Sequence, residues 1–287
     1  MTHAGRSYTN YMWIKMAAAS VSSSSSHNYG FSLLSWNIDG LDARDLKVRT
    51  STVISVIKNL LPDVLYLQEI VPTTWEILNS GLGSIYECRC ANHELPYFHG
   101  VFIRKSKRII ISDSMQIAKF PHSQMLRHLL HQKVRIDGHV VHLLTSHLES
   151  MKASKDERKN QLSQCIEEIL KCTTRDEVSI FGGDLNIRDE EVDAVGLPEG
   201  CADVWVMLGS DPEHQWTWDT SANNNLMVKY KAKCRFDRLY LSQPPKSKTK
   251  ITPTSLKLIG KDKIEKIERF PSDHWGVLAS FEIIKET

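Results

Sequence analysis

Five apolar runs of the chain end in an acid, an amide or a histidine. LLSWNIDG closes on Asn37 and Asp39, VLYLQE on Glu69, and SIFGGDLN on Asp184 and Asn186; VHLLTSHLES carries His147 and FPSDHW supplies Asp273 and His274. Taken singly, each has a plain structural reading. Asn-Ile-Asp-Gly and Gly-Gly-Asp are turn formers, and a lone histidine in a strand is usually a satisfied core residue. Together they form a set of hard oxygen donors, amides and two imidazoles, with no Cys or His pair at zinc spacing. Mg²⁺ takes one or two carboxylates together with water and substrate phosphate, which suits Glu69 and Asp273 with Asp39 or Asn37 beside them. Phosphodiester hydrolysis also needs a group that orients water, for which Asp184 and Asn186 are suited. It needs groups that neutralise charge at phosphorus as well, for which His274, His147 and Asn37 are suited. The combination points to metal-assisted phosphoester hydrolysis.

Rigid strands must position such a set, and the sequence supplies them. FSLLSW and PDVLYLQEI read as strands flanking VRTSTVISVIKNLL, which has helical spacing. GVFIRKS and RIIISD are strands split by a basic turn. HQKVRIDGHVVHLLTSHLES is a hairpin turning at Asp137-Gly138, a two-residue turn signal. SKDERKNQLSQCIEEILKCT is helical, EVSIFGGDLNI is a strand expected to break at its two glycines, and CRFDRLYLS and HWGVLASFEII are the expected final strands. Hairpins mixed with few helices argue for an α+β or layered αββα arrangement rather than strict βαβ alternation.

The chain has 287 residues, 41% hydrophobic and 24% charged, enough for one large core. A net charge of +2 says little about nucleic acid, because phosphate binding depends on where basic side chains cluster. The six cysteines form no CxxC ladder, so free thiols in a reducing, intracellular compartment are expected. No run approaches the ~18 apolar residues of a membrane span, and no membrane association is expected. Residues 1–30 read as a disordered Ser-rich tail, and 31–285 as one catalytic domain.

In this order, SWNIDG, LQE, TSHLES, GGDLNIRD, RFDRLY and SDHWGV resemble the motif series of the endonuclease/exonuclease/phosphatase superfamily. The resemblance implies a four-layered αββα sandwich, with two mixed sheets packed face to face and helices outside. It also implies a Mg²⁺-dependent phosphoesterase, with Mn²⁺ as a substitute. GDLNIRDEEV, QWTWDTSANNNL and FPSDHWG are similar to the branch that hydrolyses 5′-phosphotyrosyl DNA bonds, which releases trapped topoisomerase II peptides and leaves a 5′-phosphate for DNA repair. The rival within the superfamily is an apurinic endonuclease or a lipid or inositol phosphatase. The rival outside it is a non-catalytic signalling adaptor, which predicts decay at metal or phosphate positions where this sequence shows none.

By that resemblance Glu69 and Asp273 hold the metal, with Asn37 and Asp39 lining the same site. Asp184 orients or deprotonates the attacking water, assisted by Asn186. His274 contacts the scissile phosphate, Asp237 of RFDR holds its imidazole, and His147 stabilises charge on the opposite side. Water attacks phosphorus in line and the tyrosyl phenolate leaves; its pKa near ~10, against ~15.7 for water, makes it a good leaving group. One- and two-ion schemes use the same carboxylates.

For substrate, Trp218 is expected to stack on a terminal base, with Leu226 and Phe236 as an apolar wall for single-stranded or overhanging DNA. Core packing is the competing reading for all three. Arg188, Arg127, Ser150 and Lys152 are expected to touch DNA phosphates. Position 152 holds Lys where the family tends toward Arg, so a bidentate contact is not expected there. PPKSKTK, residues 244–250, reads as a nuclear import patch, a DNA-facing loop or a solvated hairpin loop. The expected location is the nucleus, with the cytoplasm second, and the expected state a monomer. The short Ser-rich tail is not expected to form the ubiquitin-binding module of animal relatives.

Overall fold

The computed structural model describes residues 29–91, 93–173, 177–247 and 249–285. The first elements are β1 (Tyr29–Asn37), α1 (Leu46–Leu60), β2 (Val64–Ile70), α2 (Pro72–Leu82), β3 (Tyr86–Cys90) and β4 (Phe98–Arg104). The middle holds β5 (Ile109–Ile111), β6 (Gln116–Lys119), β7 (His128–Ile136), β8 (His139–Ser146), α3 (Lys155–Cys172), β9 (Val178–Asp184) and α4 (Asp189–Val195). The remainder is β10 (Cys201–Asp203), α5 (Val204–Met207), β11 (Trp218–Asp219), β12 (Lys233–Cys234), β13 (Asp237–Ser242), β14 (Thr249–Ile259) and β15 (Gly276–Lys285).

The first large sheet runs β14-β15-β1-β2-β4-β3, and the second runs β10-β13-β9-β8-β7-β5, with β6 also paired to β7. Each is mixed in the same way: β1–β2 and β8–β9 are parallel, and every other pairing is antiparallel. A parallel pair needs a crossover, and α1 and α3 provide the two.

Side-chain alternation places the layers. On β1, Phe31 and Leu33 join Val64, Tyr66, Leu143, Ile180 and Leu239 in a core between the sheets. Leu34 and Trp36 point the other way, to Val53, Ile57, Leu78 and Leu82 of α1 and α2. On the far side Leu144 and Phe181 pack on Leu162, Ile166 and Ile169 of α3. The order of layers is therefore α1/α2, first sheet, second sheet, α3/α4, the four-layered αββα sandwich with helices outside. Tyr66 ties the sheets together, its buried hydroxyl donating to the Ile180 carbonyl at 2.9 Å.

Several local expectations are corrected. β9 does not break at its glycines but runs through both to Asp184. Glycine is required there by close approach: a Cβ on Gly182 would lie 2.3 Å from the Arg238 carbonyl oxygen. Of the tail expected over 1–30, residues 1–28 lie outside the described residues, while Tyr29 and Gly30 already pair with Ile283 and Glu282. The basic stretch 244–250 leads into an unforeseen strand, β14, whose Pro253 is tolerated because the strand is an edge and bulges at that point. Helix α2 and strand β3 were not foreseen either.

Candidate active site

β1 and β2 run parallel, as do β8 and β9, so the four carry Asn37, Glu69, His147 and Asp184 at or just beyond the same kind of strand end. β13 and β15 run antiparallel to their neighbours, and their starting ends deliver Asp237 and the Asp273–His274 pair to that rim. Three of these strand ends turn sharply: Asp39, Glu69 and Asn186 have φ of 51°, 55° and 50°. Left-handed backbone is unfavourable for a non-glycine residue, and Glu69 in particular lacks the short side chain that eases it. At these three positions the left-handed turn aims polar groups into one space.

The contacts cross from sheet to sheet. Asn37 Nδ2, from the first sheet, donates to Asp184 Oδ2 of the second at 2.9 Å. His147 Nε2 lies 3.2 Å and His274 Nε2 3.7 Å from the same oxygen. The other Asp184 oxygen accepts from the Asn186 backbone N–H at 3.1 Å, and Asn37 Oδ1 accepts from the Asp39 N–H at 2.9 Å. On the far side of His274, Nδ1 donates to Asp237 Oδ2 at 2.8 Å. Glu69, His147 and Asp184 each offer an atom within 4.8 Å of the others, as do Asp184, Asp237 and His274.

The electrostatics divide the rim in two. Burial and then the Asp273 charge push Glu69 up to about 7, and burial with Asp273 pushes Asp39 up to about 8 against the pull of Arg49. Oδ2 of Asp39 is 3.2 Å from Arg49 Nη1, yet it has no aligned hydrogen-bond partner among the described residues. Three mutually repelling carboxylates and an unmatched buried oxygen fit a hard divalent cation. In the other half, burial works against the charges on Asp184 and His274 and is outweighed. His274, His147 and Asn37 hold Asp184 below the usual carboxylate range, and Asp237, Asp184 and Asp273 hold His274 well above its usual value. Burial lifts Asp237 to about 6, so near neutral pH the pair is an imidazolium facing a carboxylate.

His147 is different. Arg127 Nη1 donates to its Nδ1 at 2.7 Å, and because a guanidinium can only donate, the ring proton sits on Nε2 and points at Asp184. Burial and the Arg127 charge push His147 down to about 4. Both ring nitrogens are engaged, so His147 serves Asp184 here rather than presenting a free donor to a phosphate. The Arg127 side chain is buried, bonded to His147 and lying 5.2 Å over the Tyr97 ring, at the edge of a cleft that it lines with Phe120, Leu126 and His128. Ser150 is turned to the Met125 sulfur at 3.2 Å.

Other substrate-side residues gather beside the rim. The Trp218 indole N–H donates to Asp273 Oδ2 at 3.1 Å, and its ring lies 5.7 Å from that of Phe236. The Arg188 guanidinium sits 5.3 Å over Phe236 and opens into a cleft of about 560 Å³ that it shares with Lys152, Lys155 and Lys159. A path of aromatic side chains thus leads from the carboxylates to this cleft, which Glu190 and Glu191 line along with the basic residues. Leu226 is half-buried in the loop after β11.

A family model described as the endonuclease/exonuclease/phosphatase family matches residues 34–274. The chain belongs to this family. Human tyrosyl-DNA phosphodiesterase 2 is 40% identical over 255 residues, covering 88% of this chain and 68% of its own. A Caenorhabditis briggsae 5′-tyrosyl-DNA phosphodiesterase is 35% identical over 258 residues, covering 89% and 70%. The chain thus spans about two thirds of these relatives. Among solved structures, Danio rerio TDP2 complexed with single strand DNA product superposes with a TM-score of 0.83 at 38% identity, covering 88% of this chain and 98% of that one. TDP2 from Caenorhabditis elegans superposes at 0.80 with 36% identity, covering 88% and 75%.

This member of the endonuclease/exonuclease/phosphatase family holds its rim together with residues not singled out from the sequence. Arg49 is fully buried and donates to the backbone carbonyls of Arg44 (3.1 Å), Asp39 (3.0 Å) and Pro271 (3.2 Å), joining the loops after β1 and before β15. It precedes Val53 and Ile57 at helical spacing, and a cation in that apolar stripe is the signal that marks it. Ser272 Oγ donates to the Asn37 carbonyl at 2.6 Å and accepts from the His274 N–H at 3.0 Å. Asn223 and Asn225 of the NNN run donate to the Ser272 and Phe270 carbonyls at 2.8 and 3.0 Å, sewing the Trp218 loop to the segment that carries Asp273 and His274.

Proposed function

We propose that this chain hydrolyses 5′-phosphotyrosyl bonds in DNA with Mg²⁺, releasing trapped topoisomerase II peptides and leaving a 5′-phosphate. It is a phosphodiesterase of the endonuclease/exonuclease/phosphatase family, and its chemistry depends on a divalent metal. The observation that carries the reading is the convergence of Asn37, Glu69, Asp184, Asp237, Asp273 and His274 on one rim, beside the Trp218–Phe236–Arg188 surface. Relatives named as tyrosyl-DNA phosphodiesterases, one of them solved with a single strand DNA product, support the substrate.

Glu69, Asp273 and Asp39 would hold the cation, which supplies Lewis-acid neutralisation of the phosphate charge when bound. Asp184, kept ionised by His274, His147 and Asn37, would accept a hydrogen bond from the attacking water and orient or deprotonate it, with Asn186 beside it. His274, kept cationic by Asp237, donates to a phosphate oxygen as charge builds there. The phenolate leaves toward solvent. Mg²⁺ with Mn²⁺ as substitute, monomeric action, the absence of membrane association, and residence in the nucleus with the cytoplasm second are parts of the same proposal.

The test is a single-stranded oligonucleotide bearing a 5′-phosphotyrosine, incubated with the purified chain in Mg²⁺ or EDTA, beside His274→Ala and an abasic duplex. Metal-dependent appearance of a 5′-phosphate, absent in the variant and without cleavage of the duplex, is expected. Cleavage of the abasic duplex instead would assign the chain to the endonuclease branch.

A further inference from the structure

On the outer face of the second sheet, away from the catalytic rim, β7 and β8 place two histidines against the last residue of α3. His131 Nε2 is 2.8 Å from His142 Nδ1, and the Cys172 Sγ is 3.7 Å from His131 Nε2. One ligand atom from each lies within 4.8 Å of the others. His142 is five residues before His147 on the same strand direction, about 17 Å from the rim at ~3.3 Å per residue. Nothing in the phosphodiesterase chemistry uses these groups.

We propose that His131, His142 and Cys172 form a second metal site, for Zn²⁺, distinct from the magnesium carboxylates. Two imidazoles and a thiolate are soft and borderline donors that favour Zn²⁺ over Mg²⁺. With Zn–N about 2.05 Å and Zn–S about 2.3 Å, tetrahedral ligands stand about 3.3 Å apart for N···N and about 3.6 Å for N···S. The N···N and N···S separations here are 2.8 and 3.7 Å, so the nitrogens need to part by roughly half an ångström; the sulfur is in range of His131, 3.7 Å from Nε2 and 3.9 Å from Nδ1, and must turn toward the shared position with the His131 ring.

The surroundings are those of a ligand set. His142 Nε2 donates to Glu177 Oε2 at 2.8 Å, which leaves the Nδ1 lone pair directed at His131. A carboxylate behind the far nitrogen is the arrangement that fixes tautomer and basicity in zinc-bound histidines. Glu177 is held in turn by Lys133 Nζ at 3.2 Å. His142 and Cys172 are buried while His131 and Glu177 are half-exposed, so the cluster has an open side for entry and for water as fourth ligand. Binding displaces one proton, from the Cys172 thiol, and moves the His131 proton from Nε2 to Nδ1. The bound ion would staple the C-terminal turn of α3 to two strands.

Cd²⁺, whose thiolate complexes absorb in the near ultraviolet, is the probe for the purified full chain in excess Mg²⁺, followed by Zn²⁺ competition. A charge-transfer band that saturates at one equivalent, vanishes in Cys172→Ser and is displaced by Zn²⁺ is expected. Zn²⁺ should also raise the Tm of the wild type but not of the variant, with Mg²⁺-dependent turnover unchanged in both. His131→Gln, at a half-exposed position, keeps the test open if the cysteine variant folds poorly; it should weaken Cd²⁺ binding at least tenfold. No band in the folded wild type, or a band that survives in folded Cys172→Ser, overturns the proposal, as does unchanged Cd²⁺ affinity in His131→Gln.

Discussion

Replacing Asp237 with Asn tests the division of labour on the rim most directly. The substitution keeps the shape of the side chain and lets its Oδ1 accept from His274 Nδ1 across the present 2.8 Å, but removes the negative charge. With charge centres about 4 Å apart and an effective dielectric near 20, that charge is worth about 4 kcal/mol to the imidazolium. A retained neutral hydrogen bond offsets about 1 kcal/mol of the loss. The net, about 3 kcal/mol, corresponds to a fall of about 10²-fold in kcat. The assay is single-turnover release of 5′-phosphate from the phosphotyrosyl oligonucleotide at saturating Mg²⁺, with the Mg²⁺ dependence measured beside it. kcat should fall while the Mg²⁺ midpoint stays put, because Asp237 lies on the far side of His274 from Glu69 and Asp39. A variant within threefold of wild type would refute the argument that Asp237 keeps His274 cationic for catalysis. A tenfold shift in the Mg²⁺ midpoint would refute the separation of the two halves.

Glu69→Gln should move the Mg²⁺ dependence of turnover to higher concentration by tenfold or more. In EDTA it should melt above the wild type, because one of three repelling carboxylates is gone; a lower Tm in EDTA would contradict the cation-site reading. Trp218→Phe keeps a stacking face and loses the bond to Asp273, whereas Trp218→Ala loses both; only the alanine should raise KM, by about tenfold for a stack worth ~1–3 kcal/mol, and equal KM values would return Trp218 to the core. His99 is buried against His128, at 4.4 Å between ring centres, and donates to the Thr145 carbonyl; burial holds its pKa well below the usual value. Its stabilising contribution is therefore complete above about pH 6.5 and lost as pH falls, by up to about 1.4 kcal/mol per unit. Urea midpoints at pH 7 and pH 5 should converge in His99→Gln relative to the wild type, and an unchanged difference would count against this.

What was legible in the sequence is the set of breaks where apolar runs meet polar residues. Asn37, Glu69, Asp184 and His274 announce themselves because a carboxylate, amide or imidazole at the end of a buried strand is unusual within its own neighbourhood. The Asp137-Gly138 hairpin was legible for a similar local reason, and both residues take the positive φ of a tight two-residue turn. What was hidden depends on distance. Arg127 reads as a surface cation until β7 and β8 are paired, when its guanidinium meets His147. Arg49 does its work through carbonyls, which sequence does not distinguish. β14 was obscured because an edge strand tolerates Pro253 and polar residues that read as loop.

The pairing of β1 with β15 also sets the order in which this protein can be made. Leu33 finds Ala279, and Ser35 finds Val277, so a central strand of the first sheet waits for a partner that lies far along the chain and leaves the ribosome long after it. Contacts so far apart along the chain are slow to form and leave an open strand edge in the interval, a state that invites chaperone engagement. Asp273 and His274 arrive with that same segment. A polypeptide that has not yet reached β15 therefore carries Glu69 and Asp184 without the groups that complete them, and its catalytic rim stays unassembled until that strand has been made and paired.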